Sequence, residues 1–203
     1  MGHDDVEEMP QKWRRRKEEL LSAAEESLKL YGLAKTTIDD IAKLAGVSKT
    51  SLYYYFENKE DLLRAVVAHK STELLRKIQG AVASTRDPAE KLRSFVKARY
   101  RYLQELRTYL GFPQELATKV SPRIKAQRDG YFEKELEVLL DILREGKRRG
   151  IFAMGDEESL GRIVIAGLWG FDFMLLFYGQ EVPVERDIDG FLDALLWGLV
   201  PRK

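Results

Sequence analysis

Apolar residues recur along this chain at spacings of three and four, and no stretch alternates as a half-buried strand would. The pattern predicts an all-α protein. A first amphipathic helix over roughly 11–31 places Leu20, Leu21, Ala24, Leu28 and Tyr31 on one face, and Gly32 stops it. Thr37 with Asp40 three residues on is a capping-box variant that uses Asp for the usual Glu. It opens a short helix whose inner stripe is Ile38, Ile41, Ala42 and Ala45. Gly46-Val47 makes a turn, and Ser48 caps a third helix. A fourth runs from Lys59 to about residue 83. Asp87-Pro88-Ala89-Glu90 then combines an N-cap, a first-turn proline and an acid, and starts a helix reaching about Tyr109. A short segment near 114–119 follows. Ser121-Pro122 opens a long helix ending at Gly150, with Ile151 as the apolar residue beyond the stop. Two helices, about 156–178 and 186–199, complete the chain.

Composition narrows what such a helical protein does. Its 203 residues suffice for a sizeable core, but a net charge of +1 offers a polyanion no broad attractive field. Residues 10–59 carry ten bases against seven acids, so any nucleic-acid affinity there rests on placed contacts. The absence of cysteine excludes disulfides and thiolate metal sites, and fits a reducing cytoplasm. The start, MGHDDVEEMP, is acidic and lacks an apolar signal region, so residues 1–10 read as a disordered tail. With only His3 and His69, no glycine-rich phosphate loop and no metal-ligand cluster, a helical enzyme is disfavoured. Asp39-Asp40 and Glu25-Glu26 read as solvated faces of amphipathic helices. Neither a cofactor nor a metal is called for.

The segment 36–62, TTIDDIAKLAGVSKTSLYYYFENKEDL, holds the candidate chemistry. Two short helices across a tight turn are a way to push one helix into the major groove of DNA. At about 100° per residue, Leu52, Tyr55 and Phe56 face the core or its edge, while Thr50 and Tyr54 lie opposite. Ser51 and Tyr53 flank them, and Lys49 can reach either way. Thr50 and Tyr54 are thus expected to meet bases, and Ser51 and Tyr53 the phosphates. Lys59, at the start of the next helix, suits a further phosphate. Three consecutive tyrosines span about 200° of a helix, too much for one small core to bury together. The run Arg14–Lys17 is either a solvated face or a phosphate contact.

This segment resembles the N-terminal domain of the TetR family of bacterial transcriptional regulators. The resemblance rests on Gly46-Val47-Ser48, Leu52-Tyr53-Tyr54-Tyr55-Phe56, Asn58-Lys59 and Leu62. It implies that Thr37 caps the first motif helix, that Lys49, Thr50, Ser51 and Tyr54 approach bases, and that Tyr53, Tyr55 and Lys59 hold phosphates. Position 55 is commonly His in the family and is Tyr here. Asp39 stands where some members place a base-reading cation, and suits repulsion of phosphate or acceptance from cytosine. The domains implied are 11–58 for helix-turn-helix DNA binding and 59–203 for ligand binding and dimerisation.

Residues 163–178, IVIAGLWGFDFMLLFY, are apolar on every face except at Asp172. The run is too short to span a membrane, so a second protein surface is its economical cover. By resemblance, the last two helices form a homodimer interface, with Ile165, Leu168, Leu176, Phe191, Leu195 and Leu199 as candidates. The preceding helices would enclose a ligand, with Tyr100, Leu103, Phe112, Phe132, Trp169, Asp172 and Phe173 as candidate lining. Tyr102 and Tyr131 add to this aromatic density, which also suits ordinary core packing. Asp172 would pair with an Arg or Tyr, or meet a cationic ligand. Arg99, Arg101, Arg107, Arg123, Lys125 and Arg128 suit either an anionic head group such as an acyl-CoA or solvated faces. The expectation is a cytoplasmic, homodimeric repressor of a palindromic double-stranded operator, released by a small lipophilic effector. The helix 59–83 would be the lever. An architectural helix-turn-helix protein without a ligand is the alternative.

Overall fold

A computed structural model describes residues 11–110, 122–177 and 184–199, the side chains of 33–34, 106–110, 122–129, 172–177 and 184–185 excepted. Eight α-helices are found among the described residues: α1 (Gln11–Lys35), α2 (Ile38–Leu44), α3 (Lys49–Tyr55), α4 (Lys59–Ala83), α5 (Pro88–Leu110), α6 (Pro122–Arg148), α7 (Glu157–Phe177) and α8 (Val184–Leu199). The expected tail 1–10 and the segment near 114–119 lie outside the described residues. The chain packs as two compact units: among the described residues, 11–69 with 109–110 form the first and the rest the second, so that α4 is divided between His69 and Lys70.

In the first unit, α1 is broken at Gly32, whose φ of 73° is left-handed and strains any residue with a Cβ. Thr36 closes the break: its hydroxyl donates to the carbonyls of Gly32 at 2.8 Å and Ser27 at 3.1 Å. The capping box of α2 is complete. The Asp40 N–H donates to the Thr37 hydroxyl at 3.2 Å, and the Thr37 N–H to the Asp40 carboxylate at 3.0 Å. After α2, Gly46 takes a φ of 62°, and its N–H donates to the Lys43 carbonyl. The Val47 N–H reaches back to Ala42, so the last carbonyls of α2 are satisfied in a Schellman turn. Leu20, Leu21, Ala24 and Leu28 of α1 pack with Ile38, Ile41 and Ala42 of α2, Leu52 and Phe56 after the turn, and Leu62 and Val66 of α4. Tyr31, expected in this core, is half exposed. The buried Thr36 is hydrogen-bonded across the end of the helix there, and the core stops at Leu28.

In the second unit, Asp87 caps α5 by accepting from Ala89 and Glu90. The core draws on Leu74 and Ile78 of α4, Leu92, Phe95 and Val96 of α5, and Leu139 and Leu143 of α6. Ile165 and Leu168 of α7 and Leu192 and Leu196 of α8 complete it. Gly161 lets α7 approach α6 closely, since a Cβ there would lie 2.9 Å from Leu140. The α6 terminus repeats the Schellman pattern, with Gly150 donating to Lys147 and Ile151 to Gly146. No helix is long and apolar enough to cross a membrane among the described residues.

Candidate nucleic-acid interface

Leu52 and Phe56 anchor α3 in the first core, which turns the opposite side of this helix to solvent. Tyr54 is 77% exposed and Tyr53 44%, with Thr50 and Ser51 also exposed. One short helix therefore shows a continuous hydroxyl-bearing face with no packing role. Its pitch is set by Ser48, whose hydroxyl accepts from the Ser51 N–H at 3.0 Å. The Ser48 and Ser51 hydroxyls are themselves hydrogen-bonded at 2.8 Å, which holds Ser51 against the cap.

Tyr55 behaves differently from its neighbours. It is partly buried, with its ring 5.4 Å from Trp13 and 5.4 Å from Tyr54. Lys17 lies over the rings of Trp13 and Phe56 at 4.9 and 5.5 Å, so this member of the basic run packs on aromatic faces. Arg15 and Arg16 both pair with Glu19. Lys59 donates to the Thr36 carbonyl at 2.6 Å, tying the start of α4 to the α1–α2 corner. Asn58 caps α4 by accepting from the Asp61 N–H. Lys49 donates to Asp39 at 3.0 Å, and this hydrogen bond pushes its pKa up. The sequence reading missed Trp13 and Thr36. A tryptophan four residues before a lysine on one helix face was the available signal for the first; nothing marked the second.

Residues 20–66 match the family model described as bacterial regulatory proteins, tetR family. The match spans the α2–turn–α3 geometry just described together with its supporting core. Residues 20–66 are thus a DNA-binding domain of the TetR family, a non-enzymatic family of transcriptional regulators. The transcriptional repressor KstR2 of Mycobacterium tuberculosis is 27% identical over 139 residues, 68% of this chain and 69% of that protein. The fatty acid metabolism regulator protein of Bacillus subtilis is 29% identical over 157 residues, 73% of this chain and 77% of that protein. Among solved structures, FadR from Bacillus subtilis in complex with stearoyl-CoA superposes with a TM-score of 0.70 at 21% identity. That likeness covers 89% of this chain and 98% of FadR, and is one of fold.

In the second unit, Tyr100, Leu103, Phe132 and Trp169 all belong to or pack on one apolar cluster. Phe132 and Trp169 meet edge to face at 5.2 Å, and the Tyr100 hydroxyl accepts from Gln104 at 2.7 Å. The Tyr102 hydroxyl donates to the Lys70 carbonyl, a structural role. Phe112 lies outside the described residues, as do the side chains of Asp172 and Phe173 and those of Arg107, Arg123, Lys125 and Arg128. Arg99, for which the sequence leaves open a solvated face or an anionic head group, is buried, and its Nε donates to the buried Glu135.

The candidate dimer residues lie mostly on the inner sides of α7 and α8. Ile165, Leu168 and Leu199 are buried within the chain itself, so they have almost no surface left to offer a second copy. Phe191 is used internally too, its ring 5.6 Å from Phe171, and Leu195 is partly buried in the same cluster. The side chain of Leu176 lies outside the described residues. The apolar positions left open are on the other faces of the same helices: Ile163, 65% exposed, with Ala166 and Gly170 on α7, and Trp197, 70% exposed, with Gly190 and Ala194 on α8. A helix apolar all round gives no phase from which to choose its inner side.

Proposed function

We propose that this regulator is a cytoplasmic homodimeric repressor that leaves its operator when a lipophilic effector binds the second unit. The observation that carries the reading is the exposed apolar strip on α7 and α8, on a chain whose α3 shows an unpacked polar face. One seven-residue helix specifies few base pairs, whereas a two-fold dimer reads two half-sites about 34–36 Å apart. In this reading Thr50 and Tyr54 meet bases, and Tyr53, Ser51 and Lys49 approach the groove beside them. Thr37 and Tyr55 orient the reading helix, the first through its cap and the second through Trp13. Lys59, at the start of α4, is assigned a phosphate in the same reading.

For the effector, the aromatic pair Phe132–Trp169 and the neighbouring apolar cluster favour a long acyl chain. The fatty acid metabolism regulator among the relatives and the stearoyl-CoA bound to FadR support the same class. Binding would shift the population toward a half-site spacing that no longer matches successive major grooves, with α4 as the lever. The test is a gel-shift titration of the purified chain on promoter fragments, including the one beside its own gene. Retarded bands should appear, weaken with Tyr54→Ala, and dissolve on adding long-chain acyl-CoA but not free coenzyme A. Bands indifferent to every acyl-CoA would overturn the effector class, and a Tyr54→Ala protein that binds as before would overturn the reading helix.

A further inference from the structure

The face that meets DNA in this reading carries a carboxylate. Asp39 is not the capping acid of α2, a role taken by Asp40. It is half exposed and its Oδ2 lies 3.0 Å from the ammonium of Lys49, the residue just before Thr50. An exposed pair of this kind adds little to stability, so holding the fold is a poor explanation for it. A carboxylate at a polyanion is unfavourable unless it accepts from a base, and the exocyclic amines of cytosine and adenine are the only such donors in the major groove.

We propose that Asp39 and Lys49 together read one G·C base pair, the carboxylate accepting from cytosine N4 and the ammonium donating to guanine O6 and N7. The inference rests on α3 entering the major groove. The spacing fits: guanine O6 and cytosine N4 are hydrogen-bonded to each other, about 3 Å apart, so an acceptor–donor pair of similar separation faces them in reverse order. Charge then sorts G·C from A·T. In guanine the second acceptor, N7, lies beside O6 and faces the ammonium. In adenine N7 lies beside the N6 amine and faces the carboxylate, which it repels. Thymine also sets its methyl group beside the O4 that the ammonium would need.

The experiment is selection of bound sequences from random duplexes by the full chain, followed by affinity titration. The unmodified protein should enrich G·C at one fixed position in each half-site. Replacing that pair by A·T in the selected site should lower affinity on the order of tenfold. Asp39→Asn should move the preference at that position to adenine, which an amide reads through N6 and N7, with the other positions unchanged. Asp39→Ala should flatten the preference there. If Asp39→Asn and Asp39→Ala enrich the same sequence as the unmodified protein, or the A·T site binds equally well, the pair is a surface strap and the inference is lost. The arm with altered DNA needs no variant, so a misfolded protein cannot obscure it. Enrichment of no sequence at all by the unmodified protein would instead remove the DNA-reading role of α3.

Discussion

At the scale of single residues, Arg99 and Glu135 are the most consequential pair in the second unit. Both are buried, and each neutralises a charge that would otherwise be stranded away from water. Glu135→Ala should therefore destabilise the protein by about 3–5 kcal/mol, chiefly by leaving the guanidinium uncompensated. The double change Arg99→Met with Glu135→Leu should recover most of that loss, because apolar residues of similar volume need no partner. Chemical denaturation of the three proteins measures both effects. A double variant as unstable as the single one would mean that the pair has a packing role beyond its charge. The sequence could not reveal this pair. Arg99 stands near five other bases in the chain, and Glu135 is 36 positions away, so nothing local distinguishes an inward arginine from an outward one. Tyr54 was legible for the opposite reason, since three adjacent tyrosines on a short helix cannot all be inside.

At the scale of elements, the helix ends carry most of the local specification. Thr37 and Asp40 satisfy each other's backbone, and hydrogen bonding from the Thr37 hydroxyl is the largest cause holding the Asp40 pKa below its ordinary value of 3.8. The depressed folded value means that this contribution to stability is present above pH 3.8 and fades as pH falls through the folded pKa. Thr37→Ala should thus lower the melting temperature at neutral pH, through loss of a cap of about 1 kcal/mol, with the difference shrinking in acid. Thermal melts of both proteins between neutral and strongly acidic pH check this; a constant difference across that range would count against the capping box. Caps, glycine stops and the proline start of α5 were readable because each is a local chemical requirement of a helix terminus. The rotation of α7 was not readable. Its inward side, Ile165 and Leu168, and its outward side, Ile163, are equally apolar, and only the neighbours in the fold break the tie.

At the scale of the whole molecule, the burial of Ile165, Leu168 and Leu199 decides which substitution is informative about a dimer. A charge at Leu168 would enter the chain's own core and unfold it, whereas a charge at Trp197, 70% exposed, stays largely in solvent unless a second copy covers it. Trp197→Glu should leave the melting curve of a single chain cooperative while converting a dimer to a species of 23.4 kDa in sedimentation. An unchanged mass would place the interface elsewhere. The tryptophans also have a practical consequence. There are three: Trp13 against Tyr55 beside the reading helix, Trp169 against Phe132 in the apolar cluster, and Trp197 on the open strip. Each sits at the station of one proposed event. Single-tryptophan versions of the chain would therefore give separate fluorescence signals for operator contact, acyl-chain entry and subunit association. The order in which those events occur becomes a question for stopped-flow optics, with no added label.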